Sequence, residues 1–227
     1  MEPARFVDAP GRWWSDASDV HVDLDDRESL VVDGVRRTGH HTFANVDDHG
    51  ALAAFDENIV EVGRRGANFM IRVRNPNNPI RTAYAGTPTY PPSPSWVVPG
   101  RFVSFTSPRS VEVGASAEGL THVFESPGEI EFEIDHRRLR LVAFNDEEPD
   151  ELFIVFSDLT SGPMTYGACR FLSVEAPGSD CAVSIDFNRA TNPPCAYTDF
   201  ATCPLPPAQN HLPVRIEAGE KLPSTPH

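Results

Sequence analysis

Residues Glu129-Ile130-Glu131-Phe132-Glu133-Ile134 decide the architecture. The apolar residues fall on alternate positions, so Ile130, Phe132 and Ile134 share one face and the three glutamates share the other. A period of two with one charged face marks a half-solvated strand in an antiparallel sheet. The polar run Asp135-His136-Arg137-Arg138 follows, and Leu139-Arg140-Leu141-Val142-Ala143-Phe144 returns, which predicts a hairpin. Leu152-Phe153-Ile154-Val155-Phe156 is apolar throughout and short, as a strand covered on both faces would be. Working outward, further strands are expected at Phe69 to Arg74, Phe102 to Phe105, Val111 to Val113 and His122 to Glu125. Others are expected at Thr165 to Val174, Cys181 to Phe187 and Val214 to Ile216. Short strands broken by Gly and Pro predict an all-β fold, an antiparallel barrel or sandwich of about ten strands.

Helix signals are thin. Ser15 to Leu30 offers a serine cap, yet its Val20, Val22 and Leu24 alternate as in a strand. Two proline-dense stretches read as loops or sheet edges, because proline cannot donate to a ladder. Residues Pro76 to Pro99 hold seven prolines and Pro193 to Pro213 hold six. The second is expected to lie as a long Pro/Cys-rich loop across one end of the sheet, where rigid loops carry function. Residues 1–65 read as a less regular N-terminal part of the same domain, 66–221 as the β domain and 222–227 as a frayed tail.

With 19 basic against 33 acidic residues in 227, the net charge is −14, which argues against nucleic acid as a partner. There is no apolar run of membrane-spanning length, so no membrane partner is expected. Met1-Glu2-Pro3-Ala4-Arg5 shows no basic region followed by an apolar stretch, so a secretory leader is not expected and the location is taken as cytoplasmic. Oligomeric state is not legible. The four cysteines, Cys169, Cys181, Cys195 and Cys203, form no CxxC motif, and in a reducing compartment they are expected as free thiols. Cys169 and Cys181 read as buried small apolar residues, and His40, His41 and His49 as surface residues.

The second half carries a dense run of distinctive phrases. They are Asp158-Leu159-Thr160-Ser161-Gly162, Thr165-Tyr166-Gly167, Arg170-Phe171-Leu172 and Asp186-Phe187-Asn188-Arg189-Ala190. Asn192-Pro193-Pro194-Cys195-Ala196-Tyr197, Thr202-Cys203-Pro204-Leu205-Pro206-Pro207, Asn210, Leu212-Pro213 and Gly219-Glu220-Lys221 follow. With weaker matches at Arg72-Val73-Arg74-Asn75, Tyr84-Ala85-Gly86 and Trp96, the chain resembles the bacterial and archaeal family known as domain of unknown function 1684. The resemblance spans about residues 65 to 221. Asn75, Tyr84 and His211 depart from it, standing where an acid, a phenylalanine and an arginine are expected. It implies a soluble, mostly β protein whose identity is concentrated in one Cys- and Pro-rich segment, and it implies no particular activity or cofactor.

That segment mixes polar side chains with rigid prolines, so it invites a chemical reading. An arginine at 170 in an apolar strand needs a carboxylate, Asp158 or Asp186, because an unpaired buried charge is costly. Such an arginine either braces two strands or clamps an anionic ligand bidentately. The expected site draws on Arg72, Arg170, Asp186, Asn188, Arg189 and Glu220 and would bind a small polar or anionic metabolite. Were a reaction catalysed, Asp186 or Glu220 would be its acid or base. The competing reading makes these residues an internal salt-bridge and turn network in a non-catalytic interaction module. Cys195 and Cys203 are read as packed thiols, a redox pair, or weak metal ligands with His211, in that order.

Overall fold

The computed structural model describes residues 2–47, 49–65, 68–146 and 148–224, and strands dominate them. The chain divides into two compact units, Met1–Tyr84 and Ala85–His227.

In the N-terminal unit the strands are β1 (Ala4–Arg5), β2 (Arg12–Ser15), β3 (Val20–Asp23), β4 (Leu30–Val32) and β5 (Val35–Arg37). They continue with β6 (His40–Phe43), β7 (Ala51–Phe55), β8 (Asn58–Arg65) and β9 (Asn68–Arg74). One antiparallel sheet runs β1-β2-β3-β6 and a second runs β5-β4-β7-β8-β9. Both contribute to a single core around Trp13, Val22, Leu30, Val60 and Val62. The serine-capped stretch is thus not helical. Val20 and Val22 point inward from β3, and burying them outweighs the cap signal. Residues 2–65 build most of these two sheets, and β9 completes the second.

The C-terminal unit holds β10 (Val97–Gly114), β11 (Thr121–Ile134), β12 (Arg137–Asn145), β13 (Glu151–Phe156), β14 (Arg170–Glu175) and β15 (Ala182–Asp186). They form one antiparallel sheet in the order β14-β13-β12-β11-β10-β15. Its two edges approach each other, and past β15 the chain turns so that Thr191 bridges Phe171 of β14, which nearly closes the sheet into a barrel. The hairpin foreseen after Ile134 is tighter than its four polar residues suggested. Asp135 and His136 alone form the turn, both at positive φ, as a two-residue hairpin whose twist matches its strands requires.

The inner face carries Phe102, Ile130, Phe132, Leu141, Ile154, Phe156, Leu172 and Ile185, each alternate along its strand. Full burial of such a side chain contributes about 1.5–3 kcal/mol. β10 and β11 lose register between Ser104 and Arg109, beside Pro108 and Pro127, neither of which can donate to the ladder. Beyond this bend Val111, Val113 and Phe124 pack on Val142, Phe144 and Val155, the outward residues of β12 and β13. That layer is why Leu152 to Phe156 is apolar on both faces.

The stretch expected as a strand at Val214 to Ile216 joins no ladder. Leu212, Val214, Ile216 and Ala218 alternate into the barrel core, while the residues between them face out. This strap is held by Leu159 N–H on the Val214 carbonyl at 2.9 Å and by the Asp158 and Arg170 side chains. Of the expected frayed tail, 225–227 lie outside the described residues.

Candidate functional site

Arg170 opens β14 on the inward face, where its side chain is fully buried. One terminal nitrogen meets Asp158 Oδ2 at 2.7 Å and donates to the Ile216 carbonyl at 3.0 Å. The other donates to the Ala218 carbonyl, and the guanidinium lies 5.1 Å from the centre of the Phe156 ring. The expected carboxylate partner is therefore Asp158, which ends the β13 side of the sheet, and not Asp186. Asp158 Oδ1 accepts from the Thr160 and Ile216 amides.

Next to this pair four segments run side by side. Phe171 bridges Thr191, Ala190 accepts from the Glu220 amide, and residues 219–221 join residues 88–90 through Tyr90 N–H on Gly219 and Lys221 N–H on Pro88. The antiparallel bridge places Arg170 directly opposite Asn192. Gly219 makes the close approach workable. Its φ is +71°, and a Cβ there would collide with the Ala190 carbonyl.

Polar groups converge on this seam. Glu220 Oε2 accepts from the Asn192 amide at 2.6 Å and faces the Tyr197 hydroxyl at 3.3 Å, and that hydroxyl lies 2.7 Å from Thr87 Oγ1. Asn192 Nδ2 donates to the Lys221 carbonyl at 2.8 Å. Lys221 Nζ sits 4.4 Å from the centre of the Tyr90 ring. Three buried polar atoms here lack a partner among the described residues: Arg170 Nε, Tyr90 Oη and Asn192 Oδ1. Burial, then the Glu217 charge, push the Tyr90 hydroxyl above its ordinary pKa, against the pull of Arg170. Nothing in the sequence singles out Tyr90, Asn192 or Tyr197 as site residues. The unpaired atoms that distinguish two of them exist only once the chain is folded.

The other expected residues have separate roles. Asp186 Oδ1 accepts from the Asn188 amide and side chain, and Asn188 exchanges two hydrogen bonds with the Ser93 backbone, so this pair ties β15 to the first Pro-rich stretch. Arg189 is exposed. Arg72 belongs to the N-terminal unit, where it and Arg74 grip Glu61 at 2.8 and 2.6 Å.

Cys195 and Cys203 meet in a small buried cluster with Ala201, packed by Tyr166 and Phe171. The Cys195 amide donates to Cys203 Sγ at 3.2 Å, and Tyr166 Oη donates to the Cys195 carbonyl at 2.8 Å. All four cysteines are free. Cys169 is buried as expected, with Sγ on the Pro204 carbonyl, whereas Cys181 is half exposed at positive φ. Among the described residues His211 does not join Cys195 and Cys203 in a metal-compatible group, and its Nδ1 is hydrogen-bonded to Ser157. The only metal-compatible group among the described residues is Asp16, Asp19 and His21, in the N-terminal unit. Two open hollows, of about 660 and 450 Å³, are lined by other residues, the first around Arg5, Arg27 and Phe55 and the second around Arg101, Phe132 and Arg138.

Asn210 is fully buried, and its amide accepts from Val142 N–H and donates to the Val142 and Val155 carbonyls. The register of β12 on β13 would pair Val142 with Val155, so this side chain replaces a missing rung of the ladder.

No helix among the described residues is long and apolar enough to cross a membrane. No curated protein sequence matches the chain. A solution NMR structure of an uncharacterised protein from Haloarcula marismortui is similar, with 31% identity and a TM-score of 0.52 over 62% of this chain and 78% of that one. Residues 82–221 match the family described as Protein of unknown function (DUF1684), a span that begins three residues before the C-terminal unit. The chain belongs to that family.

Proposed function

We propose that the C-terminal unit binds a small polar or anionic molecule at the seam between β14, the strap and residues 88–90. The observation that carries this reading is the set of unpartnered buried atoms, Arg170 Nε, Tyr90 Oη and Asn192 Oδ1. A buried donor left unpaired costs about 1–3 kcal/mol, so a fold that keeps two beside an unpaired acceptor favours a guest that satisfies them. Arg170 N–H and Tyr90 O–H call for acceptor oxygens, as in a carboxylate or phosphate, and the Lys221 ammonium over the Tyr90 ring favours negative charge. Asn192 Oδ1 calls for a donor, so the fitting class carries a hydroxyl or amide beside its acidic group. Asp186, Asn188 and Arg189 take no part in this binding.

A second reading has its own support. Both terminal nitrogens of Arg170 are engaged inside the protein, which favours an internal brace whose leftover atoms take ordered water.

A thermal-shift screen of hydroxy acids, phosphate esters and amides, run on wild type and Tyr90→Phe with mass spectrometry of co-purifying molecules, separates the two. Binding predicts that at least one compound raises the wild-type midpoint by mass action and raises that of the folded Tyr90→Phe variant much less. The brace predicts no stabilising compound, nothing co-purified, and a Tyr90→Phe variant at least as stable as wild type.

A further inference from the structure

We propose that Cys195 and Cys203 form a peroxide-responsive dithiol with a reversible disulfide as the product. The argument is geometric and independent of the seam. A sulfur 3.2 Å from the Cys195 amide nitrogen lies within about 5 Å of the Cys195 Cα, close enough for the two sulfurs to meet once the Cys195 side chain turns toward it. The two residues close a short loop, so the sulfurs meet without moving the barrel strands. They are buried but not sealed, at 5% and 6% exposure, beneath a loop whose Phe200 is 77% exposed. A molecule as small as hydrogen peroxide can reach them there.

The surroundings divide the labour between the two sulfurs. The Tyr166 hydroxyl donates to the Cys195 carbonyl and the Ser116 hydroxyl to the Ala201 carbonyl, so both lie beside the pair. A hydrogen bond from the Cys203 thiol to the Cys195 sulfur, aided by the nearby Tyr166 and Ser116 hydroxyls, outweighs burial and holds the Cys195 thiol at about 6. Donating that bond, with burial, pushes Cys203 well above the ordinary thiol range, so it stays protonated and acts second. Burial drives Cys169 up to about 12, leaving it inert beside the pair.

The chemistry balances with hydrogen peroxide as the oxidant. The Cys195 thiolate attacks one peroxide oxygen, the O–O bond breaks, and the departing hydroxide takes a proton and leaves as water. Cys195 is then a sulfenic acid. The Cys203 sulfur attacks the Cys195 sulfur, the S–O bond breaks, and the hydroxide departs with the Cys203 thiol proton as a second water. Two thiols lose two electrons and one peroxide becomes two waters. A thiol reductant reverses the product.

The test uses the full chain, fully reduced, then exposed to one equivalent of hydrogen peroxide and mapped by peptide mass spectrometry without reduction. The expected result is a Cys195–Cys203 disulfide that dithiothreitol removes, formed more slowly as pH falls below about 6. In Cys203→Ser a sulfenic acid at Cys195 should be trapped by dimedone, and in Cys195→Ser dimedone should label neither Cys203 nor Cys169. Should Cys195→Ser fail to fold, the wild-type map and the Cys203→Ser trap still decide. Oxidation confined to the half-exposed Cys181, or Cys195 and Cys203 both recovered as thiols, would overturn the proposal.

Discussion

Arg170 and Asp158 form an ion pair at 2.7 Å with both side chains at 0% exposure. The pair is also a junction. Asp158 Oδ1 holds the Thr160 and Ile216 amides while Arg170 holds the Ile216 and Ala218 carbonyls, so one buried pair fastens the strap to two barrel strands. Removing one partner strands the other's charge in a low dielectric, which is more damaging than losing the pair outright.

Arg170→Met should therefore destabilise the C-terminal unit by about 3–5 kcal/mol. Adding Asp158→Asn should restore part of that loss, because the amide is neutral yet keeps an acceptor for Thr160 and Ile216. Urea unfolding of the two variants checks the order. A double variant no more stable than Arg170→Met would contradict a stranded charge as the cause.

Asn210→Ala would remove three hydrogen bonds to Val142 and Val155 and leave those buried backbone groups unpaired. At about 1–3 kcal/mol for each unsatisfied group, the unit should lose at least about 3 kcal/mol. Hydrogen exchange should speed up first at the Val142 amide. Asn210→Asp should be no milder, since it deletes both donors and buries a charge.

The contrast between these residues shows what sequence can carry. Glu129 to Ile134 and Leu152 to Phe156 declare their strands because burial repeats along them with period two, and Arg170 declares its need for a carboxylate because no apolar strand tolerates a lone charge. Asn210 declares nothing. Its role depends on a gap between β12 and β13 that only the folded sheet defines. Val214 to Ile216 alternates like a strand and is buried like one, yet side chains replace its ladder. Arg72 resembles Arg170 in sequence, yet it faces Glu61 across the β8–β9 hairpin of the N-terminal unit, and that cross-strand register is defined only once the hairpin is formed. Tyr90 and Asn192 stand out only through the bonds they lack.

Gly219→Ala should lower the thermal midpoint markedly. It adds a side chain at φ +71° and drives its Cβ into the Ala190 carbonyl, against which the Glu220 amide is docked. Strain of about 1–3 kcal/mol from the backbone alone is expected, and the collision adds to it. Gly162→Ala is the control. It too has positive φ, at +92°, but its Cβ meets nothing within 4 Å, so it should cost less.

Acid should weaken the N-terminal unit partly through Glu61. Burial opposes its ionisation, but hydrogen bonds from Arg74 and Arg72 outweigh that and hold its carboxyl below the ordinary value. A carboxyl depressed by folding contributes stability above its unfolded pKa, and that contribution is lost as pH falls through the folded one. Glu61→Gln should start less stable at pH 7 and lose less stability on going to low pH than wild type does. A parallel decline in both proteins would show that Glu61 contributes nothing to the acid response.

The most direct measurement of the binding account is the ¹⁵N–¹H resonance of Arg170 Nε, followed while a hydroxy acid or phosphate ester is added. Binding predicts that this resonance shifts in a saturable way and that the shift is reduced in Tyr90→Phe. A resonance that stays fixed for every compound, at concentrations that leave the fold intact, would contradict the account and leave Arg170 a brace alone.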